Sequence, residues 1–210
     1  MTGDERLESI LEIAERMFFE RGYRGVSMRH LAGEVGVQIS TLYYYFPSKE
    51  EILYRVVKTY LEALLDAAQR SLESAGPGAT SSTKVEALVR ESVLSLTEHR
   101  QAAGITLSGA LAELPAEQQA ELNSHVQRYE ALYLSVIREG IEAGDFVATD
   151  AALAAYLILG AQARLCAWFR PDGRLTPAEI ADTFSFLLVR SLTVEQLSEN
   201  RGLSSERSIG

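Results

Sequence analysis

The sequence predicts an all-α protein, and three observations lead to that prediction. Apolar residues recur every three or four positions along nearly the whole chain, and no segment shows a sustained alternation of two. Helix-capping residues precede several of these apolar runs. Of the 210 residues, 47% are apolar and 23% are charged, which is typical of a globular chain with one or two domains.

Composition also indicates where the protein works. A single cysteine, Cys166, cannot form an internal disulfide, which fits a reducing compartment. Acidic residues precede the first apolar run, which argues against a secretory signal. The longest apolar run, Ala151–Ala161, is far shorter than the ~20 residues of a membrane-spanning helix. We therefore expect a soluble cytoplasmic protein with no membrane partner.

The N-terminal elements follow from caps and breaks. A first helix is predicted over Asp4–Arg21. Two short helices come next, the first capped by Ser27 and ended by Gly36. The second covers Gln38–Phe46, where the following proline stops it.

Five longer helices are predicted downstream, each from its own start signal. Residues 74–82 read as a linker between the first two of them. The first helix starts at a capping box of Ser48 and Glu51 and runs to about Glu73, and the second starts at a box of Thr83 and Glu86. Pro115 precedes a third helix of ~28 residues, and Asp150 precedes a fourth that runs to Arg170. Thr176 and Glu179 start the fifth, which runs to about Glu195.

The two short helices have the spacing of a helix-turn-helix. Ala32 supplies a small residue inside the first helix, Gly36 the tight turn, and Leu42 the packing residue of the second. The whole chain carries a net charge of −9, but residues 21–49 carry +3, because four basic residues oppose Glu34 alone. A basic window on an acidic chain indicates a local nucleic-acid contact.

The run Gly22–Leu53 resembles the DNA-binding segment of TetR-family transcriptional regulators. The resemblance is carried mainly by Thr41–Phe46, TLYYYF, followed by Lys49. It implies a three-helix DNA-binding domain over residues 1–47 and an effector-binding and dimerisation domain over 48–197. The polar residues 198–210 read as a disordered tail.

The resemblance also assigns roles to single residues. Gln38-Ile39-Ser40 departs from the basic residue that many members have there, so guanine readout from that position is not expected. We take Arg21 and Arg24 as solvated loop charges. The expected phosphate contacts are Ser27, Arg29, Thr41, Tyr45 and Lys49, the expected base contacts are Gln38, Ile39 and Tyr44, and Tyr43 suits either role.

Two C-terminal segments are too apolar for the surface of a monomer. Residues 151–161 are apolar around the whole helix, and residues 180–189 have apolar side chains on more than one face. Paired with their copies, these helices would bury both faces in a four-helix bundle. The family resemblance implies the same homodimer, and a palindromic operator suits it.

A small hydrophobic effector is the third expected partner. The segment Arg164–Leu192 resembles a TetR branch that senses acyl-coenzyme A thioesters of lipid or steroid catabolism, which implies that Arg164 and Trp168 contact the coenzyme. Packing at the dimer interface is the competing explanation for both residues. The candidate lining residues of the effector site are Leu64, Leu107, Leu111, Tyr129, Tyr133, Ile137 and Leu157.

Other functions remain open at this point. An all-α enzyme lacks support, because the sequence has no phosphate-binding glycine loop, no nucleophile motif and no metal-ligand spacing. We therefore expect no catalysis, no cofactor and no metal. The main prediction is a ligand-released homodimeric repressor. Its alternatives are a regulator of efflux or detoxification that senses a drug-like ligand, and a dimeric helical scaffold that does not bind DNA.

Overall fold

The computed structural model describes residues 3–193, and within that range the protein is helical. Ten α-helices and two 3₁₀ turns follow one another, and the described part has an isolated bridge between Phe146 and Thr193 in place of any sheet. The all-α prediction is confirmed. The predicted tail over 198–210, and the predicted helix end near Glu195, lie outside the described residues.

The predicted N-terminal helices and the long helices from positions 49 and 116 are present. The two 3₁₀ turns, Tyr23–Gly25 and Ala110–Glu113, lie between α1 and α2 and between α6 and α7. The helices are α1 (Gly3–Arg21), α2 (Met28–Val35), α3 (Ile39–Tyr45), α4 (Lys49–Ala75), α5 (Ser81–Glu98), α6 (Arg100–Leu107), α7 (Ala116–Ala143), α8 (Ala151–Ala163), α9 (Leu165–Trp168) and α10 (Pro177–Leu192).

The described residues form two compact units. Residues 3–63 and 98–126 make the first unit, and residues 64–97 and 127–193 make the second. The first unit thus contains α1 to α3, the first half of α4, α6 and the start of α7. The division at residue 47 that the sequence suggested falls inside this first unit and stays a prediction.

Local capping explains the helix-turn-helix. The Ser27 hydroxyl accepts a hydrogen bond from the backbone N–H of His30 and starts α2. Gly36 ends α2 at φ 75°, a left-handed conformation that glycine adopts without strain. Leu42 and Phe46 are buried and hold α3 against the rest of the first unit. These predicted caps are confirmed.

The first unit also contains a helix that the sequence did not predict, α6. The chain leaves the helical path at His99, whose φ and ψ are −102° and 37°. α6 then packs on α1, where the Glu15 carboxylate accepts the backbone N–H of Ala102 at 3.1 Å. The approach is close at Gly104, because a Cβ there would lie 2.5 Å from the Phe19 ring.

Two predicted helix boundaries are wrong. The box at Thr83 and Glu86 does not start α5, because Thr80 is the cap and its hydroxyl accepts the N–H of Thr83 at 3.2 Å. The helix from Asp150 does not continue to Arg170, because it is interrupted at Arg164. There the backbone hydrogen bond spans three residues instead of four, because the Ala167 N–H donates to the carbonyl of Arg164.

The segment Ala151–Trp168 is long and apolar enough to cross a membrane, with a mean hydropathy of 1.3 and one third of it buried. A buried or interface helix of a soluble protein has the same composition. The interruption at Arg164 also places an exposed charged residue within the segment.

Candidate nucleic-acid interface

The outer face of α3 carries most of the predicted base contacts. Tyr44 is 84% exposed, Tyr43 is 49% exposed and Ile39 is 40% exposed, whereas Leu42 is fully buried. Successive helical residues are about 100° apart, so one buried leucine leaves its neighbours facing outward. Gln38, Ser40 and Thr41 are exposed as well. This face therefore presents an amide, two hydroxyls, an isoleucine and phenols to any partner.

The aromatic run divides between interior and surface. Phe46 is buried, while Tyr45 is half-buried and meets Tyr44 edge to face, with ring centroids 5.3 Å apart. Tyr43 does not join the core. Ile39, Tyr43 and Tyr44 are all exposed on one short helix, and such a group of large side chains has the composition of a contact surface.

A groove of about 810 Å³ lies beside α3 and brings together three of the predicted phosphate contacts, Ser27, Arg29 and Lys49, whereas Thr41 and Tyr45 do not line it. The Ser27 hydroxyl caps α2 through its oxygen, which leaves its O–H to donate to a phosphate. The residues that line the groove include Arg24, Ser27, Arg29, His30, Ile39, Tyr43 and Lys49.

Lys49 has a structural role at this groove that the sequence did not indicate. Its ammonium donates to the carbonyls of Tyr23 at 3.0 Å and Val26 at 2.8 Å, and lies 4.0 Å from the Tyr23 ring centroid. The Tyr23 hydroxyl in turn donates to Glu50 at 3.0 Å, and burial raises the pKa of that phenol. An ammonium has three donors, so Lys49 can hold the loop and still offer one N–H to a phosphate.

Two acids bear on the charge of this face, Glu34 and Glu50. Glu34, the only acid between residues 21 and 49, accepts a hydrogen bond from Arg16 at 2.9 Å. That ion pair lowers the pKa of the Glu34 carboxyl, so Glu34 stays charged and its charge is balanced by Arg16. Glu50 also lines the groove, where its carboxylate accepts from the Tyr23 hydroxyl. The three basic lining residues, Arg24, Arg29 and Lys49, therefore outnumber one lining acid, although the chain as a whole is acidic.

The predicted effector residues are divided by the structure. Tyr129, Tyr133 and Ile137 are buried one turn apart on α7 in the second unit, and Leu64 is buried in the same unit. The remaining five do not join that buried set. Leu157, Arg164 and Trp168 are exposed in the second unit, and Leu107 and Leu111 belong to the first unit, where Leu107 is also exposed.

The sequence missed the polar partner of the buried tyrosines, Gln162. The Tyr133 hydroxyl donates to the carbonyl of Leu88 at 2.9 Å and lies 3.3 Å from the Gln162 amide. Burial, followed by the neighbouring Tyr129, raises the pKa of Tyr133. A lone glutamine in the apolar run of α8 was the available signal, since a buried amide needs partners.

Comparison with known proteins identifies the family. Residues 10–56 match the family described as bacterial regulatory proteins, tetR family, and residues 78–192 match the tetracyclin repressor-like C-terminal domain. The chain belongs to the TetR family. It is therefore a DNA-binding transcriptional regulator and not an enzyme, and the helix-turn-helix α2–α3 lies in the matched DNA-binding segment.

Individual relatives cover nearly the whole chain. The transcriptional repressor KstR2 of Mycobacterium tuberculosis is 27% identical over 195 residues, which are 91% of this chain and 95% of that protein. The regulator PfmR of Thermus thermophilus is 30% identical, with a TM-score of 0.78 over 87% of this chain and 98% of that chain. AibR, solved with isovaleryl coenzyme A and operator DNA, is 25% identical, with a TM-score of 0.78 over 88% and 98%.

Proposed function

We propose that this protein is a cytoplasmic homodimeric repressor that leaves a palindromic operator when an acyl-coenzyme A thioester binds its C-terminal half. The observation that carries the DNA-binding part is the exposure of Tyr44, Tyr43 and Ile39 on α3, beside a groove that Arg24, Arg29 and Lys49 line. An exposed helix face of this kind suits the major groove, and flanking hydroxyls and basic groups suit the phosphates.

Each side chain at the interface has a proposed task. Gln38 and Tyr44 meet base edges and Ile39 meets a thymine methyl. Tyr43 faces the groove and serves either bases or phosphates. The proposed phosphate contacts are Ser27, Arg29, Thr41, Tyr45 and Lys49.

The dimer part rests on exposed apolar side chains of α8 and α10. Leu153, Tyr156 and Leu157 are each at least 60% exposed on α8, and Phe186 and Leu187 are about as exposed on α10. A single chain rarely leaves so many large apolar groups in water. Pairing with a second copy through both helices would bury them and would match the two-fold symmetry of a palindrome.

The effector part rests on two exposed residues and on the relatives. Arg164 lies between α8 and α9 and Trp168 ends α9, one turn later, so a guanidinium and an indole face are available for a phosphate and an adenine. AibR was solved with an acyl-coenzyme A, which supports this effector class. We place the acyl chain in the second unit near Tyr129, Tyr133, Ile137 and Leu64, with Leu157 at its edge; Leu107 and Leu111 are the weaker candidates.

Release of the operator on ligand binding would depend on the continuity of α4. This helix begins at Lys49, directly after the helix-turn-helix, and runs to Ala75 in the second unit. A ligand that tilts α4 would change the separation of the two recognition helices, which must match half-sites ~34 Å apart. Ligand and operator would then oppose each other with a coupling of about 1–3 kcal/mol.

A thermal-shift series tests the effector class. The wild-type chain is melted with coenzyme A, acyl-coenzyme A thioesters of increasing chain length, a steroid-ring thioester and the matching free acids. A thioester at ~100 times its Kd should stabilise the protein by about 2.7 kcal/mol and should release bound operator. Arg164→Gln and Trp168→Ala should reduce the shift, and the exposed Arg174→Gln should not.

Two results would contradict the proposal. Stabilisation by free acids or unrelated aromatics alone would remove the acyl-coenzyme A class and favour a drug-like ligand. An unchanged operator affinity under a saturating thioester would remove the release mechanism and leave the DNA-binding assignment in place.

A further inference from the structure

Arg24 forms an ion pair with an acid far away in the sequence. Its Nε donates to Oε1 of Glu113 at 2.9 Å, and a second guanidinium nitrogen lies 2.5 Å from the same oxygen. Arg24 lies in the 3₁₀ turn Tyr23–Gly25, and Glu113 ends the turn Ala110–Glu113, which follows α6. Both residues belong to the first compact unit.

The same arginine lines the groove beside α3. Ser27, Arg29 and Lys49, three of the proposed phosphate contacts, line that groove with it. The Arg24 side chain is 87% exposed, so binding a further partner would require little desolvation. Its position therefore makes it available to the DNA backbone that these residues are proposed to hold.

The pair with Glu113 is weak enough to be exchanged. Exposed ion pairs contribute about 0–1 kcal/mol, since water screens the charges and ordering both side chains costs entropy. Glu113 accepts both guanidinium hydrogen bonds through one oxygen, Oε1, whereas a DNA phosphate can offer two oxygens to the planar donors. Bound near Ser27 and Lys49, a phosphate would out-compete one screened carboxylate.

We propose that Arg24 is a further phosphate contact and that Glu113 competes with DNA for it, an inference that rests on the DNA-binding face of the proposed function. Free protein holds Arg24 on Glu113, and operator binding transfers it to a phosphate. Because Glu113 ends the turn after α6, the position of that turn sets how strongly the acid competes. Operator affinity thus depends on a residue that does not touch DNA.

The contact is tested by the salt dependence of operator binding. The probe is a duplex selected from random-sequence DNA by the full-length wild-type chain. Arg24→Gln should weaken binding and reduce the slope of log K against log salt by about 0.9, the value of one phosphate contact. Arg21→Gln removes the same charge from an exposed site at the end of α1 and should leave the slope unchanged.

The competition is tested by Glu113→Gln. In the wild-type background this change should tighten operator binding about two- to fivefold at low salt, the equivalent of one surface ion pair. Combined with Arg24→Gln it should have no such effect, because the competed contact is absent. The exposed Glu117→Gln, which removes an acid four residues away, is the matched control.

The outcomes separate this inference from the proposed DNA-binding face. If Arg24→Gln and Arg21→Gln change affinity and slope equally, or if Glu113→Gln acts equally in both backgrounds, the inference is wrong. Thr41→Ala and Tyr44→Ala report on the face itself. If they too leave binding unchanged, the proposed face is wrong as well. Urea unfolding midpoints of all variants identify any loss of binding that comes from unfolding.

Discussion

Lys58 and Glu121 join α4 to the first turns of α7, with 2.6 Å between the ammonium nitrogen and Oε1. Tyr54 donates to the other carboxylate oxygen of Glu121 at 2.6 Å, and Lys58 lies 3.1 Å from the Tyr54 hydroxyl. These contacts lower the pKa of Glu121 and raise the pKa of Lys58. Three polar groups thus connect the helix that follows the DNA-binding segment to a second helix of the same unit.

Glu121→Gln should make the protein less stable near neutral pH and leave it unchanged in acid. The lowered pKa means that the pair stabilises the fold above the ordinary glutamate value of 4.5 and is lost as pH falls through the lower folded value. Urea midpoints across pH measure this. If the variant's urea midpoint were lower by the same amount at every pH, the charge of Glu121 would not be what stabilises the fold.

Glu15→Gln should have the opposite pH dependence. Burial raises the pKa of Glu15, so the folded state loses stability as pH rises from 4.5 through the raised value. Glutamine keeps an acceptor for the Ala102 N–H and carries no charge. The variant should therefore match the wild type in acid and equal or exceed its urea midpoint near neutral pH. Glu8→Gln, at an exposed position of the same helix, should show no such pH-dependent gain.

Tyr133→Phe should destabilise the second unit by about 1–2 kcal/mol, because it removes a buried hydrogen bond to the carbonyl of Leu88 and a partner of Gln162. Equilibrium urea unfolding measures the loss. Tyr44→Phe removes a hydroxyl from a residue that is 84% exposed and should stay within about 0.5 kcal/mol of the wild type. Equal effects of the two changes would contradict the buried network.

Leu157→Glu and Leu187→Glu should convert the protein to a monomer and weaken operator binding. Each change places a charge on an exposed apolar face that we propose is buried by a second copy. Sedimentation velocity and operator titration measure the two effects. Leu107→Glu, on a leucine of α6 that is 55% exposed, should leave the oligomeric state unchanged. A wild-type chain that sediments as a monomer would refute the dimer directly.

Prediction from sequence succeeded mostly where the signal is local, although the box at Thr83 and Glu86 failed because Thr80 caps the helix three residues earlier. The caps at Ser27 and Gly36, the short α3 and the full capping box of Thr176 and Glu179 each depend on residues within four positions of one another. Prediction missed the two helix breaks at Arg164 and His99, because neither position is a glycine or a proline. The spacing of apolar residues continues through both positions, so the breaks come from packing between helices and leave no local signal.

Sequence alone determined the helical class, the family and the residues of α3 that face outward, because a period of 3.6 and one buried leucine place the other side chains. Tertiary structure decided the rest of the site. Lys49 contacts carbonyls 23 and 26 positions away, and Arg24 meets an acid 89 positions away. Tyr133 bonds to Leu88, 45 positions back. These partners are brought together only by the packing of helices, where burial and close approach select pairs that no local pattern encodes.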